Sequence, residues 1–196
     1  NLEEVDPSYF FTERRWRQLE QNLRANNLPI PQRPANAPRA PQATLTYPDD
    51  HQFGTVGVVA LDTSGNIAAG TSTGGTTAKR WGRVGDAPIL GAGTYAQNGV
   101  CGVSATGTGE FFIRVGVARD ICARMEFRHE SAQQAADHVI AEVGATTNAS
   151  NEAGDGGVIV LDGRGNVAWA MNTPGMYRAS QSAGGAPVVQ IFADEQ

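Results

Sequence analysis

Two stretches of the chain that begin one hundred residues apart share one pattern and constrain the fold most. "VGVVALDTSGNIAAG" at 56–70 and "GGVIVLDGRGNVAWA" at 156–170 each contain an apolar strand, then Asp-x-x-Gly-Asn, then a second apolar strand. The aspartate suits the start of a turn, and the glycine supplies the positive φ that such a turn needs. Both stretches are therefore predicted to be β-hairpins. Because their strands are almost continuously apolar, we expect sheets that are covered on both faces.

Two helices are predicted between the hairpins, over 109–127 and 131–144. In the second helix, Ser131 and Gln134 stand at the spacing of a capping box, and Gly144 is expected to end the helix. Strands, two helices and again strands predict a layered α+β domain. If a further helical layer covers the outer face, the domain becomes a four-layer αββα sandwich, a step that the pattern alone does not force.

The start of the chain differs from this domain in composition. Residues 12–26 predict an amphipathic helix with Thr12 as its N-cap. Six of the ten prolines follow between Leu28 and Asp50, among few large apolar residues. Such a segment cannot bury enough surface to offset its ordering entropy, so we interpret it as an extended or disordered linker. The predicted organisation is residues 1–27, a linker at 28–54 and a domain at 55–196.

Composition argues against several classes of function. Hydrophobic residues make up 40% and charged residues 18% of the chain, and no apolar run approaches the length of a membrane span. The net charge is -5 and the positive residues are scattered, so neither nucleic acid nor a membrane is an expected partner. His51, His129 and His138 lack metal-ligand spacing, and no metal site is predicted. Cys101 and Cys122 are expected to be two reduced core thiols of a cytoplasmic protein rather than a disulfide framework.

A Gly54-Thr55 pair opens the first predicted strand. A threonine hydroxyl is a poor nucleophile without a base beside it. If Thr55 were the first residue of a chain, its own α-amino group, with a reference pKa of about 7.7–8.0, would be that base. Such a terminus requires cleavage after Gly54, where a glycine leaves room for the strained backbone of an internal attack. The plain alternative is a β-branched residue that begins a strand.

Two further segments carry groups that suit an amino-acid substrate. In "GRVGD", Arg83 can bind an α-carboxylate through its guanidinium while Asp86 accepts the α-ammonium. The alternative for this pair is a surface ion pair beside a turn. In "SATGTGE", the Thr106 hydroxyl and the Gly107 N–H precede a predicted helix and suit an oxyanion hole. As a bare Gly-x-Gly, this motif matches neither the Walker nor the dinucleotide-binding spacing.

Over nearly all of residues 1–185, the sequence resembles the N-terminal-nucleophile plant-type asparaginases. This family is also called isoaspartyl peptidases or β-aspartyl-peptidases, and glycosylasparaginase is a relative. The motifs that carry the resemblance are "VDPSYFFTERRW", "GTVGVVALD", "GNIAAGTSTGG", "GRVGDAPILGAG" and "ATGTGE". The resemblance implies the four-layer αββα sandwich of N-terminal nucleophile hydrolases. It also implies that 1–27 is the end of an α subunit and 55–196 the β subunit.

The resemblance implies roles for matching residues on the nucleophile side. Thr55 corresponds to a catalytic nucleophile, freed by autoproteolysis after Gly54, and Thr73 to the hydroxyl that tunes it. Arg83 and Asp86 correspond to the residues that hold the α-carboxylate and α-amine of the aspartyl group.

On the carbonyl side, Thr106 and Gly107 correspond to the oxyanion hole, and Gly109 lies where a backbone carbonyl helps to hold the substrate amine. Gly107 thus serves both catalysis and substrate binding. The implied reaction hydrolyses the side-chain amide of asparagine or of a β-aspartyl dipeptide and releases aspartate. The leaving group stays open among ammonia, a peptide amine and β-aspartyl-arginine. The alternatives are a glycosylasparaginase-type amidase and a non-catalytic amino-acid-binding homologue in which Thr55 stays internal.

Family precursors carry a longer section before "VDPSYFFTERRW", with a glycine-rich strand and a loop that binds a structural sodium. The resemblance therefore implies a companion α-subunit segment. It assigns no sodium ligand to any residue of this chain, and we expect no other cofactor. It also implies a dimer of αβ units.

Overall fold

The computed structural model describes residues 4–37 and 54–195. The chain divides into two compact units. The first unit comprises Asn1–Gly54 and Gly75–Arg83, and the second comprises Thr55–Gly74 and Val84–Gln196. Within the described ranges, no helix combines the length and the apolar character that crossing a bilayer requires.

The first unit contains a short 3-10 helix, Pro7–Phe10, and helix α1, Glu13–Ala25. Thr12 caps α1 as predicted, because its side-chain oxygen accepts the backbone N–H of Arg15 at 3.3 Å. This bond satisfies one of the N–H groups that the first turn of a helix leaves without an intrahelical acceptor.

The start of the predicted linker folds back along α1. Arg33 Nη2 lies 2.6 Å from Glu13 Oε2, and its guanidinium carbon lies 4.7 Å from the centroid of the Phe11 ring. The hydrogen bond from Arg33 lowers the pKa of Glu13. Residues 38–53 lie outside the described residues, so the linker interpretation there stays a prediction.

The second unit contains antiparallel sheets and three helices among its described residues. Its strands are β1 (Thr55–Leu61), β2 (Ile67–Thr73), β3 (Thr94–Gln97), β4 (Cys101–Gly107), β5 (Gly156–Asp162), β6 (Val167–Met171), β7 (Gly175–Ser180) and β8 (Val188–Phe192). Its helices are α2 (Gly109–Val115), α3 (Val117–Phe127) and α4 (Ala132–Ala145). The strands pair as β1-β2, as β3-β4-β5-β6 and as β7-β8. Both predicted hairpins, β1–β2 and β5–β6, are confirmed.

The two hairpins close with the same turn. In each, the aspartate (Asp62 or Asp162) accepts the backbone N–H groups of the residues two and four positions ahead, all at 2.8 Å. The asparagine four positions ahead donates its side-chain amide to the other carboxylate oxygen, at 2.8 Å and 2.7 Å. Gly65 and Gly165 have φ values of 84° and 88°. The side chains in this turn thus fix the register of the strands on either side.

The core of the second unit lies between the four-stranded sheet and the three helices. Helices α3 and α4 pack on β4, β5 and β6. The largest fully buried side chains are Phe112, Ile121, Val103, Val117, Val139, Val143, Val158, Val160, Cys101 and Cys122. The β1–β2 hairpin stacks on the other face of the sheet, against β3 and β4. The described second unit thus has three layers, which are the hairpin, the sheet and the helices.

The outer face of the β1–β2 hairpin is exposed. Val56 and Val58 are 65% and 63% exposed, whereas strand β5 is largely buried. Within the described residues the first hairpin is covered on one face only, so the prediction that it is covered on both faces stays a prediction. A mixed fold with antiparallel sheets is confirmed, and the fourth layer of the predicted αββα sandwich stays a prediction.

Two helix boundaries differ from those predicted. The segment 109–127 forms two helices, because Gly116 adopts the left-handed conformation, with φ 71°, between α2 and α3. Helix α4 has the predicted capping box, but it continues through Gly144 to Ala145. A Cβ on Gly144 would lie 3.0 Å from Asn172 Nδ2, so a neighbouring side chain, rather than a helix end, accounts for this glycine.

The two cysteines form a disulfide between β4 and α3. The Cα atoms of Cys101 and Cys122 lie 5.7 Å apart, within the range that a disulfide requires, and both residues are fully buried. The prediction of two reduced thiols is therefore wrong. The bridge depends on the packing of a helix on a strand, which the separation of 21 residues in the sequence does not indicate.

Candidate active site

The first pair of predicted site residues comes together through the register of the β1–β2 hairpin. Thr55 begins β1, Thr73 ends β2, and the two are direct partners in the antiparallel pairing. Directly opposite residues in such a pair point to the same face, with Cβ atoms about 4.5–5.5 Å apart. Thr55 is half-buried and Thr73 is exposed. The turn at Asp62 thus places two hydroxyls side by side at the open end of the hairpin.

The β1–β2 hairpin packs on the sheet with β1 lying across β4. Gly57 lies against Ser104, since a Cβ on Gly57 would be 2.8 Å from the Ser104 Cβ. Val59, two residues after Gly57 on β1, lies against Gly102, which is two residues before Ser104 on β4. The two strands therefore run in opposite directions, and extending the same progression by two residues predicts that Thr55 faces Thr106.

Strand β4 ends in a close approach of two glycines. Gly107 pairs with Gly156, and their φ values are 151° and 147°. A Cβ on Gly107 would lie 2.6 Å from the Phe112 ring, and one on Gly156 would lie 2.7 Å from it. Beside this contact, the Thr108 N–H donates to the Asp155 carbonyl at 3.0 Å, and the Thr108 hydroxyl donates to the Asp155 carboxylate. The predicted oxyanion-hole segment is thus fixed where the strand turns into α2.

Asp86 lies beside the start of α2. It is 8% exposed, and a Cβ on Gly109 would lie 2.5 Å from its Oδ1 and 2.9 Å from its backbone nitrogen. Its own carbonyl accepts the N–H groups of Ile89 at 2.9 Å and Gly93 at 3.2 Å. The structure therefore brings together Asp86 and Gly109, the two residues to which the family resemblance assigns the substrate amine.

Arg83 and Gly54 belong to the first unit. The Arg83 N–H donates to the Arg80 carbonyl at 3.1 Å, and Arg83 Nη1 lies 3.3 Å from the position of a Cβ on Gly75. The Arg15 guanidinium lies 3.1 Å from the position of a Cβ on Gly54. The joint role of Arg83 and Asp86 and the cleavage after Gly54 both stay predictions.

A set of hydroxyls to which the sequence assigns no role includes two that lie two positions away from Thr73 and Thr106 on the same strands. Thr71 Oγ1 is 2.6 Å from Ser104 Oγ and hydrogen-bonded to Thr94 Oγ1. A signal was present for Thr71, because it alternates with Thr73 along β2 and therefore shares its face. Nothing in the sequence connects Thr94 and Ser104 with Thr71, since they are 23 and 33 residues away.

Comparison with known proteins decides the family. The protein-family model described as Asparaginase matches residues 1–191 of the chain. The chain belongs to the asparaginase family. The resemblance seen in the five sequence motifs is thereby confirmed.

Among the relatives of this asparaginase-family chain, the isoaspartyl peptidase of Escherichia coli strain K12 is 41% identical over 194 residues, which cover 99% of the chain and 56% of that relative. The isoaspartyl peptidase of Salmonella typhimurium is 41% identical over 190 residues, 97% of the chain and 56% of the relative. The isoaspartyl peptidase/L-asparaginase of Xenopus laevis is 38% identical over 165 residues, 84% of the chain and 46% of the relative. The chain thus spans about half the length of the curated relatives it matches.

Proposed function

We propose that the chain is part of a threonine-type amidohydrolase that cleaves the side-chain amide of L-asparagine and of β-aspartyl dipeptides and releases L-aspartate. The observation that carries this proposal is the direct pairing of Thr55 with Thr73 in an asparaginase-family chain. The names of the relatives support the class of reaction. The threonine chemistry is argued from the residues.

Activation in this proposal is self-cleavage at Gly54-Thr55. The Thr55 hydroxyl attacks the carbonyl carbon of Gly54, and the peptide nitrogen leaves as the new α-amine of Thr55. Water then hydrolyses the resulting ester and frees the hydroxyl. In this proposal Thr73 hydrogen-bonds the attacking oxygen during this step, and its register pairing with Thr55 supports that role.

Turnover uses the amine that self-cleavage produces. With a reference pKa of about 7.7–8.0, this amine takes the proton from Thr55 Oγ as the oxygen attacks the side-chain carbonyl of the substrate. The Thr106 hydroxyl and the Gly107 N–H stabilise the oxyanion, and the proton passes to the departing ammonia or amine. Water hydrolyses the β-aspartyl ester, so the proposed cycle returns Thr55 and uses no cofactor.

The aspartyl end of the substrate is held by charged and polar groups. The buried carboxylate of Asp86 accepts the α-ammonium, assisted by the backbone carbonyl of Gly109, which lies against it. Arg83 supplies a guanidinium for the α-carboxylate. These contacts recognise the aspartyl group that asparagine and β-aspartyl dipeptides share. Specificity for the leaving group therefore depends on other residues.

The exposed face of the β1–β2 hairpin supports a companion segment. Val56 and Val58 present apolar surface there, and the chain spans about half the length of its relatives. We propose that an α-subunit segment covers this face as the fourth layer, binds the structural sodium and completes an αβ unit that dimerises. A cytoplasmic location rested on two reduced thiols, and the disulfide between Cys101 and Cys122 removes that reason.

The experiment that tests the function uses the full precursor and its Thr55→Ala and Thr55→Ser variants. Intact mass under denaturing conditions is expected to show the parent cut between Gly54 and Thr55 and the alanine variant uncut. The parent should hydrolyse a β-aspartyl dipeptide, the alanine variant should not, and the serine variant should keep part of both activities because it retains a hydroxyl. Hydrolysis by Thr55→Ala would refute the mechanism. A parent that binds the dipeptide without turning it over would favour the amino-acid-binding alternative.

Arg83→Ala tests the substrate assignment in the same assays. Self-cleavage is expected to proceed, because the residue is proposed to contact substrate and not the scissile bond. KM should rise about tenfold or more, since hydrogen bonds to charged groups contribute roughly 1.5–3 kcal/mol. An unchanged KM would show that Arg83 does not bind the α-carboxylate.

A further inference from the structure

A second layer of residues lies directly beneath the proposed active site. Two positions along the same strands from the three proposed catalytic threonines are Gly57, Thr71 and Ser104. Gly57 and Thr71 are direct partners in the hairpin, and side chains two apart on a strand share a face. The Ser104 side chain occupies the space beside the Gly57 Cα, so these residues form a continuous inner layer between the hairpin and the sheet.

At the centre of this layer, Thr71 uses its full hydrogen-bonding capacity. Its hydroxyl donates to the Gly93 carbonyl at 3.1 Å and stands 2.6 Å from Ser104 Oγ and in contact with Thr94 Oγ1. A threonine hydroxyl has one donor and two acceptor positions, and all three are used when both neighbours donate. Ser104 is only 4% exposed. We call Thr71, Thr94 and Ser104 the hydroxyl cluster.

Gly93 connects the hydroxyl cluster with the substrate-binding side of the site. Its N–H donates to the Asp86 carbonyl at 3.2 Å, and its carbonyl also accepts the N–H of Ala105 at 2.9 Å. Ala105 directly precedes Thr106 on β4. The cluster therefore touches the strand that carries Thr73, the segment that carries Asp86 and the strand that carries Thr106. Hydrogen bonds that polarise one another in a buried network hold such elements more rigidly than isolated bonds do.

We propose that Thr71 is a positioning residue that fixes the distance between the nucleophile side of the site and the side that holds the substrate ammonium. This inference rests on the proposed function. Thr71 acts through Gly93 and through its own strand, one inner position below the proposed catalytic layer. Loss of the Thr71 hydroxyl removes no group that binds substrate. It changes the spacing between those groups and the attacking oxygen. Because misplacement by about 1 Å can cost about 10²-fold in rate, the effect falls on kcat more than on KM.

The experiment compares Thr71→Val, which replaces the hydroxyl by a methyl group of similar size, with Thr71→Ser, which keeps the hydroxyl, in the full precursor. Thr63→Val, in the exposed turn of the same hairpin, is the matched control. Intact mass gives the rate of self-cleavage, and a β-aspartyl dipeptide assay on the cleaved protein gives kcat and KM. For Thr71→Val we expect slower self-cleavage, kcat lowered about 10- to 100-fold and KM within about threefold of the parent. Thr71→Ser should restore kcat to within about threefold, and Thr63→Val should match the parent.

Two results with an active parent would overturn the proposal alone. These are a Thr71→Val variant with the kcat of the parent, or a Thr71→Ser variant impaired as strongly as the valine variant, which would assign the effect to packing. If Thr71→Val fails to fold, Ser104→Ala decides, because it removes one hydrogen bond of the cluster, and an unchanged kcat there refutes the proposal. A parent without hydrolytic activity would overturn the proposed function and this inference together.

Discussion

The β1–β2 and β5–β6 hairpins have the same turn and similar strands, and they differ in what surrounds them. At equivalent positions, Val58 is 63% exposed and Val158 is fully buried. Strand β5 lies inside the four-stranded sheet, with helix α4 on one face and β1 on the other. Among the described residues of the second unit, β1 belongs to the outermost layer. The comparison shows that local sequence specifies a hairpin, whereas burial depends on elements that are distant in the chain.

The open ends of the two hairpins also differ. Thr55 and Thr73 occupy the end of the first one and are proposed to do chemistry. At the position in the second hairpin that corresponds to Thr55, Asp155 holds Thr108 through its carbonyl and its carboxylate. The same position thus stabilises a strand–helix junction in the second hairpin. In the first hairpin it holds Thr55, whose hydroxyl is proposed to become the nucleophile once cleavage makes Thr55 an N-terminus.

The largest expected difference is between Val158→Asp and Val58→Asp. An unpaired carboxylate in the core costs several kcal/mol, a large part of the roughly 5–15 kcal/mol that stabilises a typical domain, so Val158→Asp is expected to unfold the protein. Val58→Asp in the 196-residue chain should change the free energy of unfolding by less than about 0.5 kcal/mol. Soluble yield and thermal unfolding followed by circular dichroism measure both. In the full precursor, Val58→Asp should lower the thermal stability if a companion segment covers this face. An unchanged thermal stability of that variant would contradict the proposed fourth layer.

Removal of the disulfide should give the next largest change in the free energy of unfolding. The disulfide joins β4, the neighbour of the second hairpin, to α3. Cys101 is the register partner of Asp162, so the bridge to Cys122 on α3 links the turn end of that hairpin to a helix. Replacing both cysteines by alanine should lower the free energy of unfolding by about 2–4 kcal/mol, measured by urea denaturation. Self-cleavage at Thr55 should continue in the folded variant. Thiol titration in denaturant provides the check, since two reactive thiols before any reduction would contradict the bridge.

The smallest expected difference separates the turn carboxylates. Hydrogen bonds from Asn66 lower the pKa of Asp62 below its ordinary value of 3.8. Burial raises the pKa of Asp162, and hydrogen bonds from Asn166 and the turn N–H groups outweigh that effect, so this pKa is lowered too. A lowered pKa in the folded state means that the stabilisation is present above the ordinary pKa and is lost as the pH falls through the folded value.

In Asp162→Asn and Asp62→Asn, the melting temperature should therefore fall less steeply than in the parent as the pH drops below about 4. The loss at neutral pH should be greater for Asp162→Asn, because the Asp162 carboxylate is partly buried and that of Asp62 is fully exposed. Thermal unfolding of the parent and both variants between neutral pH and about pH 3 makes the comparison. Parallel curves for all three proteins would show that these carboxylates do not contribute to acid sensitivity.

The sequence predicted the features that short-range chemistry decides. The Asp62 and Asp162 turns, the Thr12 cap and the Ser131 capping box each depend on residues within four positions of one another. The pairing of Thr55 with Thr73 then follows from the register of the turn.

Features that depend on distant partners were missed or predicted wrongly. The Cys101–Cys122 bridge and the hydroxyl cluster around Thr71 require the packing of separate elements, which no local pattern encodes. Gly116 was predicted inside a helix because the apolar spacing continues across it, and its left-handed conformation breaks the helix. Gly144 predicts a helix end, whereas α4 continues to Ala145 and Asn172 approaches this glycine closely.

The contact between Gly107 and Gly156 limits which substitutions the end of β4 can accept. A methyl group at Gly107 would run into the Phe112 ring and the opposite strand, and one at Gly156 would lie 2.7 Å from the Gly107 Cα. Exchanging both residues together would crowd two methyl groups into the same gap. Protein engineering of the segment that joins β4 to α2, whether by directed evolution or by design, therefore has to leave this pair as glycine and vary side chains elsewhere.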